Sequence, residues 1–93
     1  MHSVTYHSLV PQDIDVLPRV WQKRVMAVID SKLTTEPAVY GKPLRNELWP
    51  LYTLRVGDYR VLYVVKKTSV FVLMVRHRKD VYKEAVRRVS RRG

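Results

Sequence analysis

The chain has no cysteine, only three glycines and one phenylalanine, and no apolar run longer than the six residues Val70 to Val75. Without a thiol, disulfides, thiolate nucleophiles and cysteine-ligated zinc are all excluded, and a reducing compartment is the expected setting. Six apolar residues cannot cross a bilayer, and the opening MHSVTYHSLVP has no signal-peptide core, so the chain reads as cytoplasmic. The scarcity of glycine beside an apolar content of 46% argues against disorder, because there is enough apolar surface to offset chain entropy. The 93 residues suffice for one hydrophobic core and are expected to form a single domain, 1–93.

Acidic side chains are also scarce, with 8 Asp and Glu against 18 Lys and Arg. Residues 1–40 are balanced, so the whole net charge of +10 sits in residues 41–93. A neutral half joined to a strongly cationic half suggests an oriented surface for a polyanion, with nucleic acid the leading partner class and a basic surface kept for solubility or covered by an acidic protein as the alternative. His2 and His7 have no metal-ligand spacing with nearby carboxylates, so no metal site is expected, and no nucleotide cofactor is implied.

Periodicity predicts an α+β fold. HSVTYHS alternates as a short strand. Pro11 opens a short helix through Leu17, and Pro18 fits the first turn of a second, which together form a helical hairpin. Leu17, Trp21, Val25, Val28 and Ile29 fall on one face of that second helix, which makes Trp21 a core residue rather than a base-stacking platform. TTEPAVYGKPLRNELWP should be an irregular connection carrying Lys42 and Arg45. LYTLRV and YRVLYVV, joined by Gly57 and Asp58, make a hairpin, and KKTS turns the chain into VFVLMVR to complete a three-stranded antiparallel meander. Asp80 then caps a short C-terminal helix with the apolar stripe Val81, Tyr82, Ala85, Val86 and Val89 and its arginines, Arg87, Arg88, Arg91 and Arg92, facing water.

A two-residue loop at Gly57 and Asp58 sets Arg55 directly opposite Arg60, and like charges in facing positions need a carboxylate, splayed side chains or a bound anion. Continued without a bulge, the register brings Val75 opposite Arg60 and puts Arg55, Arg60 and His77 on one sheet face, with Met74 on the other. Arg60 and His77 would then lie on a diagonal of roughly 7–8 Å, close enough to share one phosphate. Arg76, Arg78 and Lys79 surround His77 with further positive charge. Arginine suits phosphate because its planar fork binds oxygens in pairs, and Arg76 and Lys79 are candidate RNA contacts beside Arg60 and Arg78. Histidine suits proton transfer near neutrality, so His77 is a candidate acid or base, or else a structural histidine at a strand end.

GKPLRNEL, LYTLRVGDYRVLYVV and VRHRKDVYKEA resemble the RelE toxins of the RelE/ParE toxin–antitoxin superfamily over nearly the whole chain. The resemblance implies a toxin held inactive by a cognate acidic antitoxin. It further implies ribosome-dependent endoribonuclease activity, with messenger RNA cut in the ribosomal A site by attack of the ribose 2′-hydroxyl on the adjacent phosphate. Carried over by position, Arg60 matches the strand arginine that contacts the reacting phosphate in such toxins, Arg78 matches their arginine after the last strand, and Tyr82 matches the tyrosine to which proton transfer is attributed in the family. Tyr82 also lies on the apolar stripe of the last helix, where it can act as an anchor instead. Some RelE toxins carry two lysines where this chain has Leu51 and Thr53, which leaves Lys42, Arg45 and Arg55 as replacement charge. Two other readings stand beside this one: a ParE-like gyrase poison without nuclease chemistry, and a non-catalytic RNA-binding module.

Overall fold

The computed structural model describes residues 1–90; Arg91 and Arg92 lie outside the described residues. Strand β1 (Ser3–Tyr6) leads into helices α1 (Val10–Asp15) and α2 (Arg19–Val28), which continues as a π turn over Ile29–Leu33. A one-turn helix α3 (Pro37–Tyr40), the two-residue strand β2 (Lys42–Pro43) and a 3₁₀ turn (Asn46–Leu48) follow. Strands β3 (Tyr52–Val56), β4 (Tyr59–Lys66) and β5 (Ser69–His77) then form the predicted meander, and helix α4 (Val81–Ser90) closes the described chain. The sheet has five strands in the order β1-β5-β4-β3-β2, with β1 parallel to β5 and all other pairs antiparallel. The α+β architecture is as expected. The two outer strands extend the meander, and β2 lies within the segment expected to be irregular.

Local chemistry accounts for the elements. Pro11 occupies the first turn of α1, where a missing N–H costs nothing. Pro18 sits at the N-cap of α2 rather than inside its first turn, and its carbonyl accepts from the N–H groups of Trp21 and Gln22. Val25, Ile29 and Leu33 follow one another every four residues, a wider spacing than the 3.6 of an α-helix. The π turn supplies the extra width, and all three side chains are fully buried on one face. Gly57 opens the β3–β4 turn at φ +61°, and the Trp21 ring lies against it, with room for no Cβ.

The sheet is covered on both faces. Helix α2 and its π turn pack Val25, Ile29 and Leu33 against Leu54, Val61, Tyr63 and Val72 on the first face. Helix α4 packs Val81 and Ala85 against Leu62, Leu73 and Met74 on the second. Tyr63 spans the first core to donate its hydroxyl to the Pro37 carbonyl at 2.6 Å, and burial raises its phenol well above the usual range. Gly41 leaves the space that this hydroxyl occupies, since a Cβ there would collide with it.

Register holds as predicted from Arg55 opposite Arg60 through Val65 opposite Val70, and then departs from expectation inside β5. Leu62 pairs with Met74 but Tyr63 pairs with Val72, so Leu73 is an extra residue, a β-bulge. Beyond the bulge every side chain of β5 changes face relative to an unbulged strand. Val75 therefore joins the first core, Met74 joins the second, and Arg60 faces Arg76 rather than Val75.

Candidate nucleic-acid interface

The bulge decides which cations meet. Arg55, Arg60 and Arg76 are consecutive cross-strand partners on β3, β4 and β5. With strands roughly 4.8 Å apart, their Cα atoms span about 10 Å. His77 is excluded from this row. It pairs with Tyr59 on the α1–α2 side, its ring edge-on to that tyrosine at 5.6 Å, which corrects its expected place diagonal to Arg60. Its Nδ1 accepts the Lys79 N–H at 3.1 Å, so the neutral ring carries its proton on Nε2. Beside it lies a cavity of about 440 Å³, with Leu17, Tyr59 and Asp80 in its wall.

Mutual repulsion within the row is relieved by splaying. Arg60 turns back to the hairpin, and its Nη1 donates to the carbonyls of Gly57 and Tyr59, each at 2.9 Å. Arg76 lies 3.6 Å from Asp13 on one side and 3.6 Å from Glu84 on the other. Arg55 is exposed, and among the described residues no carboxylate is within ion-pair distance of it. Arg78 follows the strand: its N–H donates to the Asp58 carbonyl at 2.8 Å and its Nε lies 3.7 Å from the Asp58 carboxylate. Arg60 and Arg78 thus converge on the Gly57–Asp58 turn, and Arg76 is the direct neighbour of Arg60.

Tyr82 stands in the first turn of α4, 38% exposed, with its hydroxyl 3.4 Å from Thr53 Oγ1. The buried stripe is carried by Val81 and Ala85, so Tyr82 is not a core anchor. Thr53 shares its sheet face with Arg55, two residues along β3, and Lys42 on the edge strand is its cross-strand partner. Lys42 therefore stands on the face that carries the arginine row. Arg45, exposed and extended before the 3₁₀ turn, and Lys79, exposed after β5, lie outside the sheet. Among the described residues no three His, Asp or Glu side chains are gathered where they could hold a metal ion.

Two residues of this region escaped the sequence reading. Arg88, expected to face water, is buried with a side-chain exposure of 8% and forks onto Asp13 at 2.8 and 3.1 Å. Asp13 is the buried charged residue of the core, and its carboxylate also accepts the Val75 N–H at 3.1 Å. Each stood at an apolar-stripe position: Asp13 between Val10 and Leu17, and Arg88 after Val81 and Ala85. An acid and a base on two buried helix faces is the signal that could have revealed the pair.

Residues 6–82 match the family model described as the ParE toxin of the type II toxin–antitoxin system parDE. The chain is 34% identical over 84 residues to toxin RelG of Mycobacterium tuberculosis, covering 88% of this chain and 97% of that protein. The crystal structure of the RelBE2 toxin–antitoxin complex of the same organism contains a chain that superposes with a TM-score of 0.77 at 33% identity, covering 82% of this chain and 96% of that one. A chain of the RelB–RelE complex of Methanococcus jannaschii shares the fold, with a TM-score of 0.67 at 20% identity, covering 86% of this chain and 96% of that one. With the RelE-like segments now seen to build strands β2, β3 and β4, the end of β5 and the start of α4, the chain belongs to the RelE/ParE superfamily of type II toxin–antitoxin toxins.

Proposed function

We propose that this toxin is a ribosome-dependent messenger RNA endoribonuclease, in which the 2′-hydroxyl attacks the adjacent phosphate. The observation that carries the reading is the row Arg55, Arg60 and Arg76, on a sheet face shared with Lys42 and flanked by Tyr82. Attack produces a phosphorane with added negative charge, and guanidinium forks fixed on neighbouring strands stabilise that charge more than the ground state. Arg60 and Arg76 take this role, with Arg78 beside Arg60 at the turn and Arg55 holding a flanking phosphate. As the P–O5′ bond breaks, the Tyr82 hydroxyl protonates the leaving 5′-oxygen, while the proton of the attacking 2′-hydroxyl passes to solvent, from which the tyrosine is reprotonated. Lys42 supplies positive charge beside Thr53, where some RelE toxins carry a lysine. His77, on the other side of the sheet and turned toward Tyr59, takes no part.

The partner proposed for the resting state is a small acidic antitoxin that covers this basic face and keeps it from the ribosome. The antitoxin-bound state of the RelBE2 relative supports the idea. A toxin acting on translating ribosomes works in the cytoplasm, in keeping with the absence, among the described residues, of any helix long and apolar enough to cross a membrane. Primer extension on a translated message with added toxin tests the reading. Cuts that require ribosomes and vanish in Arg60→Ala support it, and no cut, or an unchanged cut in that variant, contradicts it. The match to a ParE family model favours one competing reading, a gyrase poison, which would instead accumulate gyrase-linked DNA breaks.

A further inference from the structure

Strand β1 pairs with β5 only as far as Val72, and β5 runs on to His77. Past that point the flank of β5 has lost its neighbouring strand, just where the bulge at Leu73 also interrupts pairing with β4. Polar backbone groups left there need partners. Arg88 Nη1 donates to the Leu73 carbonyl at 3.0 Å, and Asp13 Oδ2 accepts from the Val75 N–H at 3.1 Å. The same two side chains hold each other through a two-bonded fork, and Asp13 Oδ1 also lies 3.6 Å from Arg76.

We infer that Asp13 and Arg88 are positioning residues: their buried ion pair holds the bulge at Leu73 and thereby decides that Arg76 joins Arg55 and Arg60. Removing the bulge would slide β5 by one residue, set Val75 opposite Arg60 and turn Arg76 toward the α1–α2 core. The pair stands in for the missing strand on one flank of β5. It also ties α1 and α4 together, so it fixes the helix that presents Tyr82 as well as the strand that presents Arg76. Neither residue is assigned to touch RNA. Arginine is needed at position 88 because one guanidinium serves a carboxylate and a carbonyl at once, in a planar geometry that a lysine ammonium cannot reproduce.

The functional half of this inference rests on the cleavage reading, so the test uses one readout that depends on it and one that does not. Full-length Arg88→Lys and Asp13→Asn variants are compared with wild type by cross-strand backbone contacts in NMR spectra and by ribosome-dependent cleavage kinetics. Expected is loss of the Arg60–Arg76 backbone contact in a folded chain, with kcat down on the order of 100-fold and KM within about threefold. Retention of both the Arg60–Arg76 contact and full kcat in the two variants overturns the inference. Should wild type not cleave, the cleavage reading falls and the NMR contact alone decides. Should both variants fail to fold, exchange of the Val75 amide in wild type decides: protection matching the β4 core amides supports the clamp, and exchange as fast as an exposed turn overturns it.

Discussion

Arg55, Arg60 and Arg76 face one another across three strands, yet each resolves the repulsion differently: by exposure, by the hairpin carbonyls and by two carboxylates. On the proposed reading, a phosphate that enters the row would replace those partners with its own oxygens. Arg76→Ala should therefore lower the cleavage rate by about 10²–10³-fold, the usual loss for one fixed transition-state donor. His77→Ala should leave the rate within about threefold, because that side chain lies beside Tyr59 on the opposite side of the sheet from the arginine row. Single-turnover cleavage of the two variants side by side separates them. Tyr63 makes a prediction of a different kind. Its folded phenol titrates above its unfolded one, so the stability tied to the protonated form is complete below the unfolded value and is lost as pH rises through the folded one. Wild type should lose stability from roughly pH 10 upward, and the loss should be smaller in Tyr63→Phe, measured by denaturant unfolding at stepped pH.

At the scale of elements, the β3–β4 hairpin was legible because alternation and a Gly-Asp pair leave little choice of turn. Among the two loop residues only Gly57 has positive φ, the pattern of a type II′ turn, and Trp21 packs on the open side of that glycine. Gly57→Ala should cost about 1–3 kcal/mol, read as a lowered denaturation midpoint at unchanged slope, since both strain and a clash with the indole follow. Strand β2 was not legible, because two residues including a proline carry no period and a proline is acceptable only on an edge. The bulge was hidden for a related reason. VFVLMV is apolar at every position, so alternation cannot report where one face gives way to the other. That single unread residue took His77 away from Arg60 and set Arg76, already a candidate contact to RNA, directly beside it.

For the whole molecule, charge and fold act together. The cationic half of the sequence builds the meander and α4, and the balanced half covers the opposite face of the sheet. Two clusters result: a basic face, proposed to meet RNA, and a buried Asp13–Arg88 link that the sequence reading missed, although an acid and a base stand there on apolar stripes. Binding of single-stranded RNA should weaken steeply with salt. Each arginine of the row that truly meets a phosphate should, on change to alanine, lower the slope of log affinity against log salt by about 0.7. Titrations of Arg55→Ala at several salt concentrations test this, and an unchanged slope would take Arg55 out of the contact.

The arginine row is proposed to cut RNA on the ribosome. The most direct measurement is cleavage of a translated message by purified wild-type, Arg60→Ala and His77→Ala chains, with and without ribosomes. Cuts are expected only with ribosomes, lost in Arg60→Ala and kept in His77→Ala. Cuts that persist in Arg60→Ala, or none from wild type on translating ribosomes, would contradict it.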